Sequence, residues 1–185
     1  MSKSARQLLL GAAGVMLASS ALAQDANSIR AAVLWNPIAT GASIEYERSI
    51  HKNVSIGVGY TSLSYDYTDD PYREEGDVKG FAVTGRYYFS GDGFKGLYAG
   101  ATVGRYKSDW EWRQPGSAPA AGSGSTNLWN YGGTVGYKYF FARNFYVDGF
   151  AIVGTWAGGS TDNTGTKETE LGAYVGVGVG LGVTF

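Results

Sequence analysis

The last fifteen residues alternate strictly between two kinds of side chain. From Leu171 to Phe185 one parity is apolar throughout, while the other parity is mostly glycine. Successive side chains of a β-strand point to opposite faces, so this segment predicts a long strand with one apolar face and one nearly bare face. Glycine weakens a strand interior. We interpret its abundance as a requirement of a barrel too narrow for large side chains all round, with the apolar face against lipid.

Seven further alternating segments precede this strand, and turn-forming residues separate them. We predict strands at these ranges: 29–35, 42–49, 54–61, 78–89, 97–104, 129–139, 145–156 and 171–185. The facing of the strand at 145–156 stays open, because both of its parities carry large residues. No segment beyond residue 23 shows a helical period long enough to predict a helix.

The connections between the predicted strands alternate in length. Three short turns alternate with four longer connections: 36–41, 50–53, 68–77, 90–94, 107–126, 142–144 and 158–168. The very long connection is rich in Gly, Ser, Ala and Pro, which is typical of a flexible segment. Bacterial outer-membrane barrels have an even number of antiparallel strands, short periplasmic turns and longer outer loops. The sequence therefore predicts an all-β, eight-stranded antiparallel up-and-down transmembrane β-barrel with both termini periplasmic.

The first residues have the pattern of a secretory signal peptide. A basic start is followed by an apolar run from Leu8 to Leu22 and by a small-x-small site at 21–23. Glycine and serine interrupt the run, and it is shorter than the roughly 20 apolar residues that a spanning helix needs. We expect a cleaved signal peptide at 1–23 and an outer-membrane barrel at 24–185.

A soluble barrel also alternates, so other features must separate it from a membrane barrel. The non-apolar parity is mostly Gly, Ser, Thr and Ala, which covers a surface poorly against water but suits the crowded lumen of eight strands. Aromatic residues form two groups, as the two membrane interfaces select. Near the short turns lie Tyr87, Phe89, Phe94, Tyr137, Tyr139, Phe141, Phe145 and Phe185. Near the longer connections lie Trp35, Tyr65, Tyr67, Tyr106, Trp110, Trp112, Trp129 and Trp156.

Four charged residues share the predicted lumen parity and lie three or four residues from a short turn: Glu45, Arg86, Lys138 and Asp148. At ~3.3 Å per residue they share a similar height in the barrel. Buried charges need partners, so we predict a plug of salt bridges in the periplasmic half, which Glu47 and Arg30 can join. Structural pairing is the favoured role of this lumen charge cluster, and a gated pore is the alternative.

Few residues here point to catalysis or to a metal. His51 is the only histidine and lies in a predicted short turn, so the Ser–His–acid relay of an outer-membrane lipid hydrolase has no second histidine to use. Cysteine is absent, which leaves no disulfides or thiolate metal sites. The acidic segment 66–77 matches no calcium loop, and we interpret it as solvated. We interpret the segment 110–113 as an anchor in the aromatic girdle at one membrane interface, rather than as an adhesive tip.

The signal, the strand count and the terminal strand resemble the small eight-stranded outer-membrane β-barrels of Gram-negative bacteria, the OmpA-type, OmpX-like, OmpW-like and opacity-protein group. The resemblance covers the whole mature chain. It implies that the barrel-assembly machinery recognises the terminal strand, and that role is carried over to Val177, Val179, Leu181, Val183 and Phe185. It also implies periplasmic chaperones, outer-membrane lipid and lipopolysaccharide as partners.

Together these features predict a non-catalytic, monomeric outer-membrane protein without cofactors. Its structural or surface-interaction role is carried by the connections at 68–77, 107–126 and 158–168. The net charge of −1 gives no indication of nucleic-acid binding. Two alternatives stay open: a narrow transport barrel for ions or small apolar solutes, and, less favoured, a lipid-modifying enzyme.

Overall fold

The computed structural model describes residues 26–90, 94–114, 120–162 and 167–185. The predicted signal peptide lies outside these ranges. The strands are β1 (Asn27–Trp35), β2 (Ala39–His51), β3 (Val54–Asp69), β4 (Tyr72–Tyr88), β5 (Gly96–Gln114), β6 (Ala120–Phe140), β7 (Phe145–Asp162) and β8 (Lys167–Thr184). Among the described residues there is no helix long and apolar enough to cross a membrane.

The eight strands form a closed antiparallel barrel in sequence order, which confirms the predicted fold class. The chain of paired residues that starts at Arg30 passes through Glu45 and returns to β8 at Gly172. Arg30 itself pairs with Gly182, so the stagger around the barrel is ten residues, from 172 to 182. A stagger of this kind tilts the strands, typically by about 35–45° from the barrel axis.

The outer face of the barrel carries a continuous band of exposed apolar side chains. On β8 the residues Val175, Val177, Val179 and Leu181 are 49–63% exposed. Val183 has the same parity but is 1% exposed. Matching exposed residues on the other strands include Val33, Ile56, Val58, Val83, Val103, Val135 and Val153. A band of this extent is a surface built for an apolar environment.

The glycine face of β8 lies against large lumen side chains of β7. Gly178 pairs with Phe150 and Gly182 with Tyr146, and both aromatic residues are buried. A methyl group at either glycine would overlap the facing ring. The bare face of β8 therefore makes room for the aromatic residues of β7. This resolves the facing of 145–156: Tyr146, Asp148 and Phe150 point inward, while Phe145 and Val153 are exposed on the outer face.

Three of the predicted loops are largely strand, so their prediction as loops is wrong for the described residues. The segment 68–77 lies in the β3–β4 hairpin, most of 107–126 lies in β5 and β6, and the described part of 158–168 lies in β7 and β8. Pairing simply continues beyond the apolar band. We call residues 64–69, 72–79, 105–114 and 120–128 the strand extension.

Glycine in the strand extension has a packing role rather than the flexible role that its composition indicated. Gly124 pairs with Trp110, and Gly122 pairs with Trp112. A methyl group at either glycine would overlap the facing indole ring. The Gly- and Ser-rich strand therefore leaves room for the two tryptophans of its neighbour.

Candidate functional site

The lumen charge cluster lies near the barrel end that holds Asn27 and Thr184, which we call the terminal end. Each of its members is at most 7% exposed. The members come from five strands: Arg30, Glu45, Glu47, Arg86, Lys138 and Asp148. The structure thus brings the five predicted site residues together with Arg30. Three cations and three carboxylates make the set formally neutral.

One half of the cluster is centred on Glu45. Arg86 donates from Nη1 and Nη2 to the two carboxylate oxygens of Glu45, at 2.6 and 2.8 Å. Arg30 Nη2 lies 3.5 Å from Glu45 Oε2, and Arg30 Nη1 donates to Asp148 Oδ2. A bidentate guanidinium–carboxylate pair is among the stronger hydrogen-bonded contacts in proteins. Arg30 therefore links the carboxylates of β2 and β7 across the lumen.

The other half is centred on Glu47. Lys138 Nζ donates to Glu47 Oε2 at 2.6 Å, and Arg86 Nη1 lies 3.2 Å from the same oxygen. Tyr88 donates its hydroxyl to Glu47 Oε1 at 2.6 Å, and Ser55 donates to that oxygen as well. Both oxygens of this buried carboxylate are consequently satisfied, as a charge in a low-dielectric interior requires.

Aromatic rings complete the plug and were missed by the sequence interpretation. Tyr98 donates its hydroxyl to the carboxylate of Asp148 at 3.0 and 3.1 Å. The ammonium of Lys138 lies 4.8 Å from the ring centre of Tyr146 and 5.2 Å from that of Phe94. Parity was the available signal for two of these rings: Tyr88 has the parity of Arg86 on β4, and Tyr98 has the parity of Gly100 and Gly104 on β5.

Several residues predicted for the aromatic girdles lie inside the barrel instead. Phe94 and Tyr106 are buried, and Trp156 packs on Tyr106 with ring centres 5.0 Å apart. Trp110 donates to the hydroxyl of Thr126 at 3.2 Å, on the inward parity of the strand extension. The predicted girdle residues that the structure leaves exposed are Trp35, Tyr67, Tyr87, Phe89, Trp129, Tyr137, Tyr139, Phe141 and Phe145.

His51 and the acidic segment, for which the sequence predicts neither catalysis nor a metal site, lie apart from the lumen charge cluster. His51 ends β2 and is exposed. Within the described ranges, no group of three or more His, Asp or Glu side chains is placed to hold a metal ion. Carboxylates of the acidic segment pair with cations. Arg73 donates to the two carboxylate oxygens of Asp66 at 3.2 and 2.6 Å, and these hydrogen bonds raise the pKa of Arg73.

No protein-family model and no curated protein matches this chain. Solved structures do match it. The β domain of the Bordetella autotransporter BrkA matches with a TM-score of 0.56 and 9% identity, over 87% of this chain and 100% of that domain. The attachment invasion locus protein Ail of Yersinia pestis matches with a TM-score of 0.52 and 10% identity, over 88% and 100%. A major outer membrane protein of Thermus thermophilus gives 0.52 and 13%, over 84% and 98%.

The fold is that of an outer-membrane β-barrel. In such a barrel the exposed apolar band faces lipid and the other parity lines the lumen. The lumen charge cluster lies on the inward parity of this fold, where an unpaired charge is costly because it is removed from water.

Proposed function

We propose that this protein is a non-catalytic, integral outer-membrane barrel with a closed lumen, and that its strand extension acts in interactions at the cell surface. The exposed apolar band around a closed antiparallel barrel supports this proposal most directly. Closed barrels span membranes because every backbone polar group within the bilayer is paired. The lumen charge cluster supports a structural role for the lumen over a conducting one.

We propose the orientation from the strand extension. The hairpins at the terminal end turn within 52–53 and 141–144, whereas β3, β4, β5 and β6 continue beyond the apolar band at the other end. In outer-membrane barrels the longer hairpins project outward and the short turns are periplasmic. Both termini then lie in the periplasm, and the strand extension projects outward.

Cell fractionation followed by gel electrophoresis of boiled and unboiled samples tests the membrane barrel. We expect the protein in the outer-membrane fraction, with an unboiled band that migrates differently from the boiled one, because the closed barrel stays folded in detergent. A soluble protein, or identical migration of the two samples, contradicts the proposal.

Cations at the edge of the apolar band support lipopolysaccharide as a lipid partner. Lys79 pairs directly with Lys107, and Arg105 lies over the Trp129 ring at 5.5 Å, next to exposed Phe81. Lys79 and Lys107 also pair with Asp77 and Asp109, at 3.4 and 2.6 Å. Phosphate groups of a lipid headgroup at this level would compete with these two carboxylates for the lysines and would meet Arg105 as well. The double variant Lys79→Gln and Lys107→Gln should retain less lipopolysaccharide per barrel on purification than Lys52→Gln, a change at the opposite end. Equal retention contradicts this contact.

We also propose that the terminal strand is recognised by the barrel-assembly machinery. Phe185 follows β8, and its backbone is hydrogen-bonded to Asn27 at 2.9 and 3.0 Å. If Phe185 is part of an assembly signal, Phe185→Ala slows the appearance of heat-modifiable barrel in cells. Phe141→Ala removes an exposed aromatic ring near the same end and serves as the control. Equal assembly of the two variants contradicts the signal.

A further inference from the structure

A cavity of about 710 Å³ lies in the barrel on the extension side of the lumen charge cluster. Arg30, Glu45 and Arg86 line it at the level of the cluster and form its floor. Apolar side chains line the space above them, among them Leu34, Leu128, Phe150, Ile152 and Trp156. The volume lies in the range of small-molecule sites. Large apolar side chains in this part of the lumen are unexpected, because membrane barrels usually have a polar interior.

The hydroxyl groups of this cavity are largely used within its own wall. Thr84 donates to the hydroxyl of Thr102 at 3.0 Å. Thr102 can donate to the carbonyl of Val83, and Thr134 to the carbonyl of Ala151, each at 3.1 Å. The wall above the charged floor therefore offers few free donors. It suits a hydrocarbon chain better than a sugar or an amino acid.

The floor favours a ligand end that accepts hydrogen bonds and carries no charge. A guanidinium has five N–H donors. Within the described residues, Arg30 makes one hydrogen bond, to Asp148, besides its 3.5 Å ion pair with Glu45. The carboxylates are already paired, so donors are in excess over acceptors. Because the lumen charge cluster is neutral as it stands, a further charge would be unfavourable in this interior.

Beside this cavity the barrel wall is formed by the short β1–β2 hairpin, whose strands end before the strand extension begins. β1 ends at Trp35 and β2 begins at Ala39, whereas β3 continues to Asp69. Trp35 and Ile38 line the cavity and are 57% and 53% exposed. The rim of the cavity is therefore continuous with side chains of the lipid-facing band.

We propose that this cavity binds an uncharged single-chain lipid, with its hydroxyl or ester end on the floor at Arg30 and Arg86 and its chain along Phe150 and Ile152. The ligand enters over the β1–β2 hairpin. The site ends blindly at the lumen charge cluster, so binding here does not require passage through the barrel.

Methyl NMR of the protein in nanodiscs of deuterated lipid tests the site, with methyl dodecanoate as the probe. We expect saturable nuclear Overhauser contacts from the probe to the methyl groups of Ile152 and Leu128. Ala82 lines the cavity and Ala101 lies on the lipid face. Ala82→Phe should abolish these contacts and Ala101→Phe should keep them. Contacts only to lipid-face methyl groups such as those of Leu181, or contacts unchanged by Ala82→Phe, overturn the proposal.

The wild-type protein alone provides the second test, which does not depend on the folding of a variant. With the free concentration of the probe in water as the reference, each methylene removed from the probe should weaken binding about fourfold, because burial of a methylene from water contributes ~0.8 kcal/mol. Dodecylammonium, a cation that only donates, should bind at least about tenfold more weakly than the ester, since it adds an unpaired charge. Equal binding of the two end groups, or no dependence on chain length, contradicts the assignment.

Discussion

Gly178 and Gly149 are both strand glycines, but a side chain added at each meets a different environment. A methyl group at Gly178 would overlap the ring of Phe150, whereas one at Gly149 would have nothing within 4 Å. We therefore expect Gly178→Ala to lower the free energy of unfolding by ~1–3 kcal/mol through overpacking. Gly149→Ala should cost nothing. Urea unfolding of the barrel in lipid vesicles measures both, and equal losses would contradict the inward facing of Gly178.

Val179 tests the opposite face of the same strand. It is 61% exposed in the middle of the apolar band on β8. Arginine at a lipid-facing site costs ~2–4 kcal/mol near the bilayer midplane. Val179→Arg should lose about that much in vesicle unfolding, with Val179→Leu as the control. A loss below ~1 kcal/mol would place this face in water instead.

Side-chain parity predicted the facing of most strands, and it failed where both parities were large. On β7 the sequence could not choose, because Phe145 and Tyr146 are both aromatic. The choice depends on β8, whose glycines leave room for Tyr146 and Phe150. Phe94 and Tyr106 were placed at the membrane interfaces by their distance from the turns. Both are buried instead. Tyr106 has the lumen parity of β5, so parity was the better signal for it. Phe94 lies between β4 and β5 and packs on Tyr88 with ring centres 6.1 Å apart, a contact that strand parity does not reveal.

At the scale of elements, the lumen charge cluster joins β1, β2, β4, β6 and β7. Removing one member of a buried, paired set leaves an uncompensated charge, which costs ~3–5 kcal/mol. Lys138→Met should therefore destabilise the barrel by about that amount, because Glu47 loses its 2.6 Å partner. Adding Glu47→Gln restores neutrality, so the double variant should lose less than the sum of the two single changes.

The surface pair of Arg73 and Asp66 serves as the matched control for the single and double variants of Glu47 and Lys138. Both side chains are about half exposed, and an exposed ion pair contributes little to stability because solvent screens it. Arg73→Met should therefore leave the unfolding free energy nearly unchanged. If the losses in unfolding free energy for the Glu47 and Lys138 changes are additive, Glu47 and Lys138 are not coupled. A loss for Lys138→Met as small as that for Arg73→Met would lead to the same conclusion.

The strand extension shows where composition misleads. Residues 107–126 are rich in glycine and serine, and composition alone indicates a flexible loop. The paired residues explain the difference, since Gly122 and Gly124 accommodate Trp112 and Trp110 of the neighbouring strand. The acidic segment is ordered in the same way by contacts between strands, such as that of Arg113 with Glu75. Such contacts depend on register, which composition does not contain.

At the scale of the whole molecule, the strand count and strand order could be predicted from alternation and from the lengths of the connections. The stagger of ten residues could not, because it depends on the closure of β8 on β1. The prediction of the charge cluster relied only on side-chain parity and on distance from the turns. Closure brings its members from five strands within hydrogen-bonding distance of one another.

Single-barrel conductance in planar lipid bilayers tests the closed lumen most directly. Glu47, Lys138 and Asp148 are each at most 1% exposed, and Tyr88, Tyr98 and Tyr146 fill the space around them. Ions would have to displace this paired set to pass. With folded protein, verified by its heat-dependent migration, we predict no steady channel openings above the bilayer baseline. Steady ion-conducting openings of the wild-type barrel would contradict the account.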